Sequence, residues 1–166
     1  NGQDVEAREK MHTASTLAGM AFNTASLGIN HSLAHAAGAK FHVPHGRLNS
    51  ILMPHVIQYN AGIEFNNRNR QATDKTVASR YQDIAKLLGC SASSPVSGVR
   101  QLVEAIKKLQ RKLEMPTSLR EYGVKADAFA QYKVEISETA LHDGCTPTNP
   151  RVPTAEELLK VLEKAF

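Results

Sequence analysis

Four of the seven histidines lie in one short stretch, residues 28–46, which reads GINHSLAHAAGAKFHVPHG. They are His31, His35, His42 and His45. His31 and His35 are four residues apart, so on a helix their side chains project from one face. Neutral imidazole is a nitrogen donor that suits Fe, Zn, Cu and Ni, and a few such rings together can hold an ion. The stretch is therefore a candidate metal site.

The residues after this first pair can bring another histidine back to it. Pro44 fixes its own φ and disfavours helical backbone at Val43, so a turn is expected there, with His45 near the start of the next helix. The alternative is that several of these histidines are ordinary core or surface side chains. The spacing leaves both interpretations open, because HxxxH is common by chance and the stretch lacks the glutamate of the zinc-protease motif.

A longer run carries a family resemblance. Residues 19–61 read GMAFNTASLGINHSLAHAAGAKFHVPHGRLNSILMPHVIQYNA. This run resembles the metal-binding segment of the iron-containing (group III) alcohol dehydrogenases. Shorter similar segments follow: Lys86–Gly89, Met115-Pro116, Leu119–Gly123 and Cys145–Arg151 (CTPTNPR). Within the family, the run AREKMHTASTLAGMAF is most similar to the alcohol dehydrogenase half of bifunctional aldehyde-alcohol dehydrogenases, with ethanol and propanol dehydrogenases of bacterial microcompartments as close rivals.

The resemblance implies an all-α fold, a helical bundle like the C-terminal domain of the dehydroquinate synthase-like and iron-containing alcohol dehydrogenase fold. It implies that His31 and His45 are metal ligands, because their separation of 14 residues matches the family. His35 matches a histidine near the nicotinamide cofactor and the substrate, where a group with a pKa near 6.5 can relay a proton. Phe22 and Cys145 match positions at the substrate pocket, although a core role for Phe22 and a structural role for Cys145 stay open.

The implied reaction is hydride transfer between a primary alcohol or aldehyde and NAD(H), with Fe(II), or zinc in some members, as the metal. The family's other two ligands, an Asp and a His four residues apart, lie upstream, and the chain has no DxxxH before His31. It also lacks a glycine-rich dinucleotide-binding turn. We therefore expect residues 1–166 to form one helical metal-binding domain, a fragment of a two-domain enzyme without its N-terminal NAD-binding domain. Alone, it should be inactive and hold metal weakly or not at all.

Helix signals recur along the whole sequence and strand signals are nearly absent. Asp4, Ser94 before Pro95, and Thr154 are expected N-caps. Ser118 with Glu121, and Thr154 with Glu157, have capping-box spacing. The first helix should bury one face, comprising Met11, Ala14, Leu17, Ala18, Ala21, Phe22 and Ala25.

Two further expectations concern the middle of the chain. Pro54 should kink or interrupt the third helix, because it removes a backbone donor. Thr73 or Asp74 should begin the fourth helix, which ends at Gly89. The residues expected to face inward from the fourth and fifth helices are Val77, Tyr81, Ile84, Ala85, Leu88, Val99, Leu102, Val103, Ile106, Leu109 and Leu113.

Composition excludes several classes of protein. A net charge of +4 is mild, and the lysines and arginines near residues 107–112 should lie on a solvated helix face, so nucleic acid is not an expected partner. No apolar run approaches the roughly 20 residues that cross a bilayer. Cys90 and Cys145 are too few for a disulfide framework, which favours reduced thiols in a cytoplasmic protein.

Two alternatives to the enzyme hypothesis remain at this stage. One is a helical interaction or assembly module that inherited the sequence, and the other is a self-sufficient metal sensor. The partners expected under the enzyme hypothesis are a small alcohol or aldehyde and the N-terminal NAD-binding domain of the parent chain. The resemblance also allows a homo-oligomer and a bacterial microcompartment as the location.

Overall fold

The computed structural model describes residues 2–63 and 75–166. The helices are α1 (Val5–Ala25), α2 (Ile29–Phe41), α3 (His45–Asn60), α4 (Lys75–Leu87), α5 (Pro95–Lys112), α6 (Leu119–Tyr122), α7 (Ala126–Leu141) and α8 (Ala155–Ala165), with a 3-10 turn at Thr146–Thr148. No strand occurs in the described ranges, which confirms the predicted all-α fold. The predicted start of α4 at Thr73 or Asp74 lies outside the described residues. Within those residues, no helix is both long and apolar enough to cross a membrane.

The predicted N-caps are largely as expected. The side chain of Asp4 accepts from the amide of Ala7, and that of Ser94 accepts from Ser97. Thr154 and Glu157 form the complete reciprocal capping box. Ser118 caps α6, but the Glu121 carboxylate accepts from Thr117 instead of the Ser118 amide, so that box is incomplete.

The larger core lies between α2, α3, α7 and α8. Its fully buried side chains include Ile29, Leu33, Leu48, Ile51, Leu52, Ile136, Leu158 and Leu162. The rings of Phe129 and Phe166 stack at 4.1 Å between centroids at the edge of this core. Because α2 and α3 pack against α7 and α8, the helices that carry His31, His35 and His45 are held in place by the core.

A smaller core joins α4 to α5 and the end of α3. The two helices are in very close contact at Gly98, where a Cβ would lie 2.4 Å from Cα of Gln82. Val99, Leu102 and Val103 are buried as predicted. Four other predicted inward positions are wrong, because the side chains at Ile84, Leu88, Leu109 and Leu113 are exposed.

Helix α1 contradicts the expectation of a buried face. No residue of α1 is buried by the parts of the chain that the structure describes. Met11 is 69% exposed and Leu17 is 60% exposed. Hydrophobic periodicity identifies which face of a helix is apolar, but it contains no information about the element that covers that face.

Helix α3 runs without interruption through Pro54, which is buried. Proline at position 54 cannot donate to the carbonyl of Ser50, four residues earlier. The side-chain amide of Gln110, on α5, donates to that carbonyl at 2.7 Å. Gln110 is 4% exposed, so a buried side chain replaces the backbone donor that the proline lacks. The interruption expected at Pro54 is therefore absent, whereas the kink that was its alternative stays a prediction.

Candidate metal centre

The start of α2 is fixed by the CTPTNPR segment. Gly28 occupies the N-cap position and has no side chain to cap the helix, but the Oδ1 atom of Asn149 accepts from the Ile29 amide at 3.4 Å. A Cβ at Gly28 would lie 2.8 Å from this same oxygen, so the close approach requires glycine. The Thr148 hydroxyl also donates to the carbonyl of Leu27.

The same asparagine connects α2 to α3. Its Nδ2 atom donates to Oδ1 of Asn60 at 2.8 Å and to the carbonyl of Arg151 at 2.6 Å. Arg151 in turn pairs with Glu157 at 2.5 Å. The CTPTNPR segment therefore links α2 to α3 and fixes the position at which α2 begins.

The buried face of α2 comprises Ile29, Ser32, Leu33, Ala34, Ala36 and Ala37. His31 and His35 lie outside that face. The helix ends at Phe41, His42 adopts the left-handed conformation, and Pro44 precedes His45, the first residue of α3. The predicted turn is present, and it brings His45 back to the beginning of α2.

The three rings form a cluster. Nε2 of His45 lies 3.1 Å from Nδ1 of His31. The rings of His35 and His45 stack at 5.1 Å between centroids, with an interplanar angle of 16°. One ring nitrogen from each histidine lies within 4.8 Å of the others. Metal ligation by His31 and His45 stays a prediction, but the geometry that it requires is present.

The donor chemistry of the cluster fits a divalent transition metal. Burial lowers the pKa of His31, and repulsion from His45 and His35 lowers it further, against a smaller opposite effect of Asp143. The neutral ring, with a free lone pair, is thereby favoured. The side-chain amide of Asn49 donates to Nε2 of His45 at 2.8 Å, so this nitrogen is also an acceptor. Two nitrogens at about 2.1 Å from one ion lie roughly 3 Å apart at adjacent positions.

An acidic residue that the sequence analysis did not single out lies beside the histidine cluster. Oδ2 of Asp143 lies 2.9 Å from Nδ1 of His35. Its other oxygen accepts from the Cys145 amide at 2.8 Å and from the Ser32 hydroxyl at 3.2 Å. Burial raises the pKa of Asp143, but hydrogen bonds from the Cys145 amide, from His35 and from the Cys145 side chain lower it by more, so the carboxylate stays ionised. Its position two residues before Cys145 was the only available signal in the sequence.

Comparison with known proteins identifies the family. A sequence model described as the Fe-containing alcohol dehydrogenase family, C-terminal, matches residues 1–166. The chain belongs to the iron-containing alcohol dehydrogenase family. This membership confirms the resemblance that the histidine run and the CTPTNPR segment indicated.

Two curated relatives illustrate the similarity of this chain to other members of the family. The aldehyde-alcohol dehydrogenase of Streptococcus pneumoniae (serotype 2) is 39% identical over 171 residues, covering 98% of this chain and 19% of that protein. The NADPH-dependent butanol dehydrogenase of Clostridium saccharobutylicum is 42% identical over 163 residues, covering 98% of this chain and 39% of that protein. The chain thus spans between a fifth and two-fifths of the length of these relatives.

Solved structures show the same fold. A 1,3-propanediol oxidoreductase aligns with a TM-score of 0.83 at 34% identity, covering 99% of this chain and 39% of the other. An alcohol dehydrogenase from Oenococcus oeni aligns with a TM-score of 0.84 at 30% identity, covering 100% of this chain and 39% of the other. The helical bundle is therefore shared with the iron-containing alcohol dehydrogenases.

The two predicted substrate-pocket residues differ in their position within the structure. Cys145 is partly buried, and its sulfur lies within 4.8 Å of ligand atoms of His35 and Asp143. Burial and the neighbouring Asp143 raise the pKa of the Cys145 thiol. Phe22 lies on α1 and is 48% exposed. The structure thus places Cys145 beside His35 and Asp143, and both substrate-pocket roles stay predictions.

An open cavity of about 360 Å³ lies next to His31. It is bordered by the segment between α1 and α2, by α3, and by residues 148–150, and Tyr81 of α4 contributes to its wall. Burial raises the pKa of Tyr81, so its hydroxyl stays protonated. The cavity leaves room for a small molecule beside His31.

Proposed function

We propose that this chain is the metal-binding C-terminal part of an NAD(H)-dependent alcohol dehydrogenase that interconverts primary alcohols and aldehydes. The observation that supports it most directly is the convergence of His31 and His45, whose facing nitrogens lie 3.1 Å apart. The names of the relatives, an aldehyde-alcohol dehydrogenase and a butanol dehydrogenase, support the same substrate class.

In this proposal, His31 and His45 hold Fe(II), or Zn(II) in its place. Bound there, the ion would supply Lewis-acid polarisation of the substrate oxygen. Two imidazoles are fewer than the three or four protein ligands of a typical site. The proposal therefore assigns the remaining ligands, and the NAD-binding domain, to an upstream part of the parent chain.

His35 is the proposed proton-handling residue. Its Nδ1–H donates to the ionised carboxylate of Asp143, which leaves Nε2 on the opposite edge of the ring free to exchange a proton. The His35 side chain is 44% exposed, so this edge is accessible to substrate or water. Asp143 acts by holding the ring in one orientation and one tautomer.

We further propose that the parent enzyme works in the cytoplasm and forms a homo-oligomer. Two partly buried free thiols agree with a reducing compartment. Size-exclusion chromatography with light scattering would establish the oligomeric state, and cell fractionation would distinguish a free enzyme from one enclosed in a bacterial microcompartment.

The test uses the full-length parent protein, loaded with Fe(II), and measures bound metal and aldehyde reduction with NADH and with NADPH. We expect His31→Ala and His45→Ala each to lower the bound iron and to reduce kcat/KM by at least about 100-fold. His12→Ala, at an exposed position on α1, is the matched control and should retain both. Full activity in the His31→Ala/His45→Ala double variant would contradict the proposal.

A further inference from the structure

A second group of potential metal ligands shares His35 with the histidine cluster. It consists of a ring nitrogen of His35, a carboxylate oxygen of Asp143 and the sulfur of Cys145, all within 4.8 Å of one another. The group contains neither His31 nor His45. Nδ1 of His35 and Oδ2 of Asp143 are already 2.9 Å apart.

The carboxylate in this group is held by its neighbours. Oδ1 of Asp143 is bound by the Cys145 amide and by the hydroxyl of Ser32. Ser32 is fully buried and lies 2.8 Å from the hydroxyl of Thr146. Hydrogen bonds of this kind orient carboxylate ligands in metal sites, and here they leave Oδ2 directed at His35.

We propose that His35, Asp143 and Cys145 form a second cation site, selective for zinc-like ions, distinct from the site of His31 and His45. A thiolate and an imidazole prefer borderline or soft ions such as Zn(II), Co(II) and Cd(II), and exclude Mg(II) and Ca(II). Tetrahedral ligand atoms around zinc lie roughly 3.3–3.6 Å apart, so the side chains close onto an ion by movements of about 1 Å. Water completes the fourth position, because the Asp143 side chain is 21% exposed and that of His35 is 44% exposed.

Binding at this site needs no oxidant or reductant. The Cys145 thiol releases its proton to solvent as the sulfur–metal bond forms. The proton on Nδ1 of His35 moves to Nε2, and Asp143 enters already ionised. The ion thereby displaces the hydrogen bond between His35 and Asp143, so excess zinc inhibits the enzyme. This consequence rests on the proposed function, whereas the binding itself does not.

The test is a titration of the full-length protein with Co(II). Binding is monitored through the near-ultraviolet charge-transfer absorption band that only a thiolate–cobalt bond produces. We expect the band in the wild type, its loss in Cys145→Ser, and an affinity at least about 10-fold weaker in Asp143→Asn. Cys90→Ser is the matched control and should keep the band. Circular dichroism confirms that each variant retains its helices.

One variant separates this proposal from the proposed function. His31→Ala/His45→Ala should lose dehydrogenase activity but keep the thiolate–cobalt band. Loss of the band in that variant would show that Cys145 belongs to the first site, and would overturn the proposal. Absence of the band from the wild type, or its survival in Cys145→Ser, would overturn it equally, whatever the activity.

Discussion

The carboxylate of Asp143 determines which nitrogen of His35 carries a proton. Asn at this position keeps the size of the side chain but removes its charge, so the tautomer of His35 is no longer fixed. We expect Asp143→Asn to lower kcat/KM of the full-length enzyme by about 10- to 100-fold while bound iron is unchanged. Steady-state kinetics and metal analysis would measure the two effects.

The control for this substitution is Asp83→Asn on α4, where the carboxylate is 71% exposed. It should leave kcat/KM at the wild-type value. If Asp143→Asn were equally active, His35 would not depend on its partner for orientation, and the role assigned to Asp143 would be wrong.

His55 is a second histidine whose protonation affects the molecule, here through stability. Burial lowers its pKa to about 4, with smaller contributions from Lys107 of α5 and Lys164 of α8. The unfolded chain binds a proton at His55 below a pH of about 6.5, but the folded chain does so only near pH 4. The free energy of unfolding should therefore be fully retained above pH 6.5 and fall by up to about 2–3 kcal/mol as the pH approaches 4.

Urea unfolding at several pH values between 4 and 7 would measure this slope. His55→Gln should flatten it, because glutamine does not titrate. His12→Gln, at an exposed position, should leave the slope as it is. An unchanged slope in His55→Gln would show that other groups cause the loss of stability in acid.

At the scale of the elements, the contact between α5 and α3 compensates for the proline inside α3. Gln110→Leu leaves the partly buried Ser50 carbonyl without its donor, which should cost about 1–3 kcal/mol in the free energy of unfolding. Gln101→Leu, an exposed position on the same helix, should cost under about 0.5 kcal/mol. Chemical denaturation would compare the variants.

A double-mutant cycle isolates this particular bond. Alanine at position 54 restores a backbone N–H that can donate to the Ser50 carbonyl. The penalty of Gln110→Leu should therefore be smaller in a Pro54→Ala background, with a coupling of about 1 kcal/mol. Equal penalties in both backgrounds would show that Gln110 contributes by packing alone.

The helices and their caps were predictable because the information that specifies them is local. The side chains of Asp4, Ser94 and Thr154 each accept a hydrogen bond from the amide three residues later. A short window of sequence therefore contains both the capping residue and the amide that it caps. The exposure of Ile84 was not predictable, because it depends on how α4 meets α5 at Gly98.

The site was predictable only where spacing or resemblance gave a signal. His31 and His45 stand out by both criteria, and the turn at Pro44 explains their convergence. Asp143 did not stand out, since its partner His35 is 108 residues away. The capping of α2 by Asn149 was equally hard to predict, because the two are far apart in the sequence. Gly28 at the N-cap has no side chain, and nothing near it in the sequence shows that Asn149 accepts from the Ile29 amide instead.

At the scale of the whole molecule, α1 differs from the other long helices because none of its apolar residues is buried within the described parts of the chain. We expect Leu17→Gln to change the free energy of unfolding of the 166-residue chain by less than about 0.5 kcal/mol. Leu33→Gln, at a fully buried position of α2, should cost several kcal/mol.

The two variants share one substitution type on two helices, so their difference reports burial alone. A large loss in Leu17→Gln would mean that α1 packs on the bundle in solution. A small loss in Leu17→Gln would also favour the hypothesis of a helical interaction or assembly module. If α1 contributes nothing to the stability of the bundle, its apolar side chains are available to pack against a partner.

The hydrogen bond between Asn149 and the start of α2 has a consequence for biosynthesis. Asn149 accepts from the amide of Ile29, and Ile29 leaves the ribosome 120 residues before Asn149 does. The first turn of α2 thus emerges without the group that caps it, so the position of His31 opposite His45 is not yet fixed. Iron uptake should accordingly follow translation of the C-terminal segment, so a nascent chain arrested before Asn149 would be a poor acceptor of the ion.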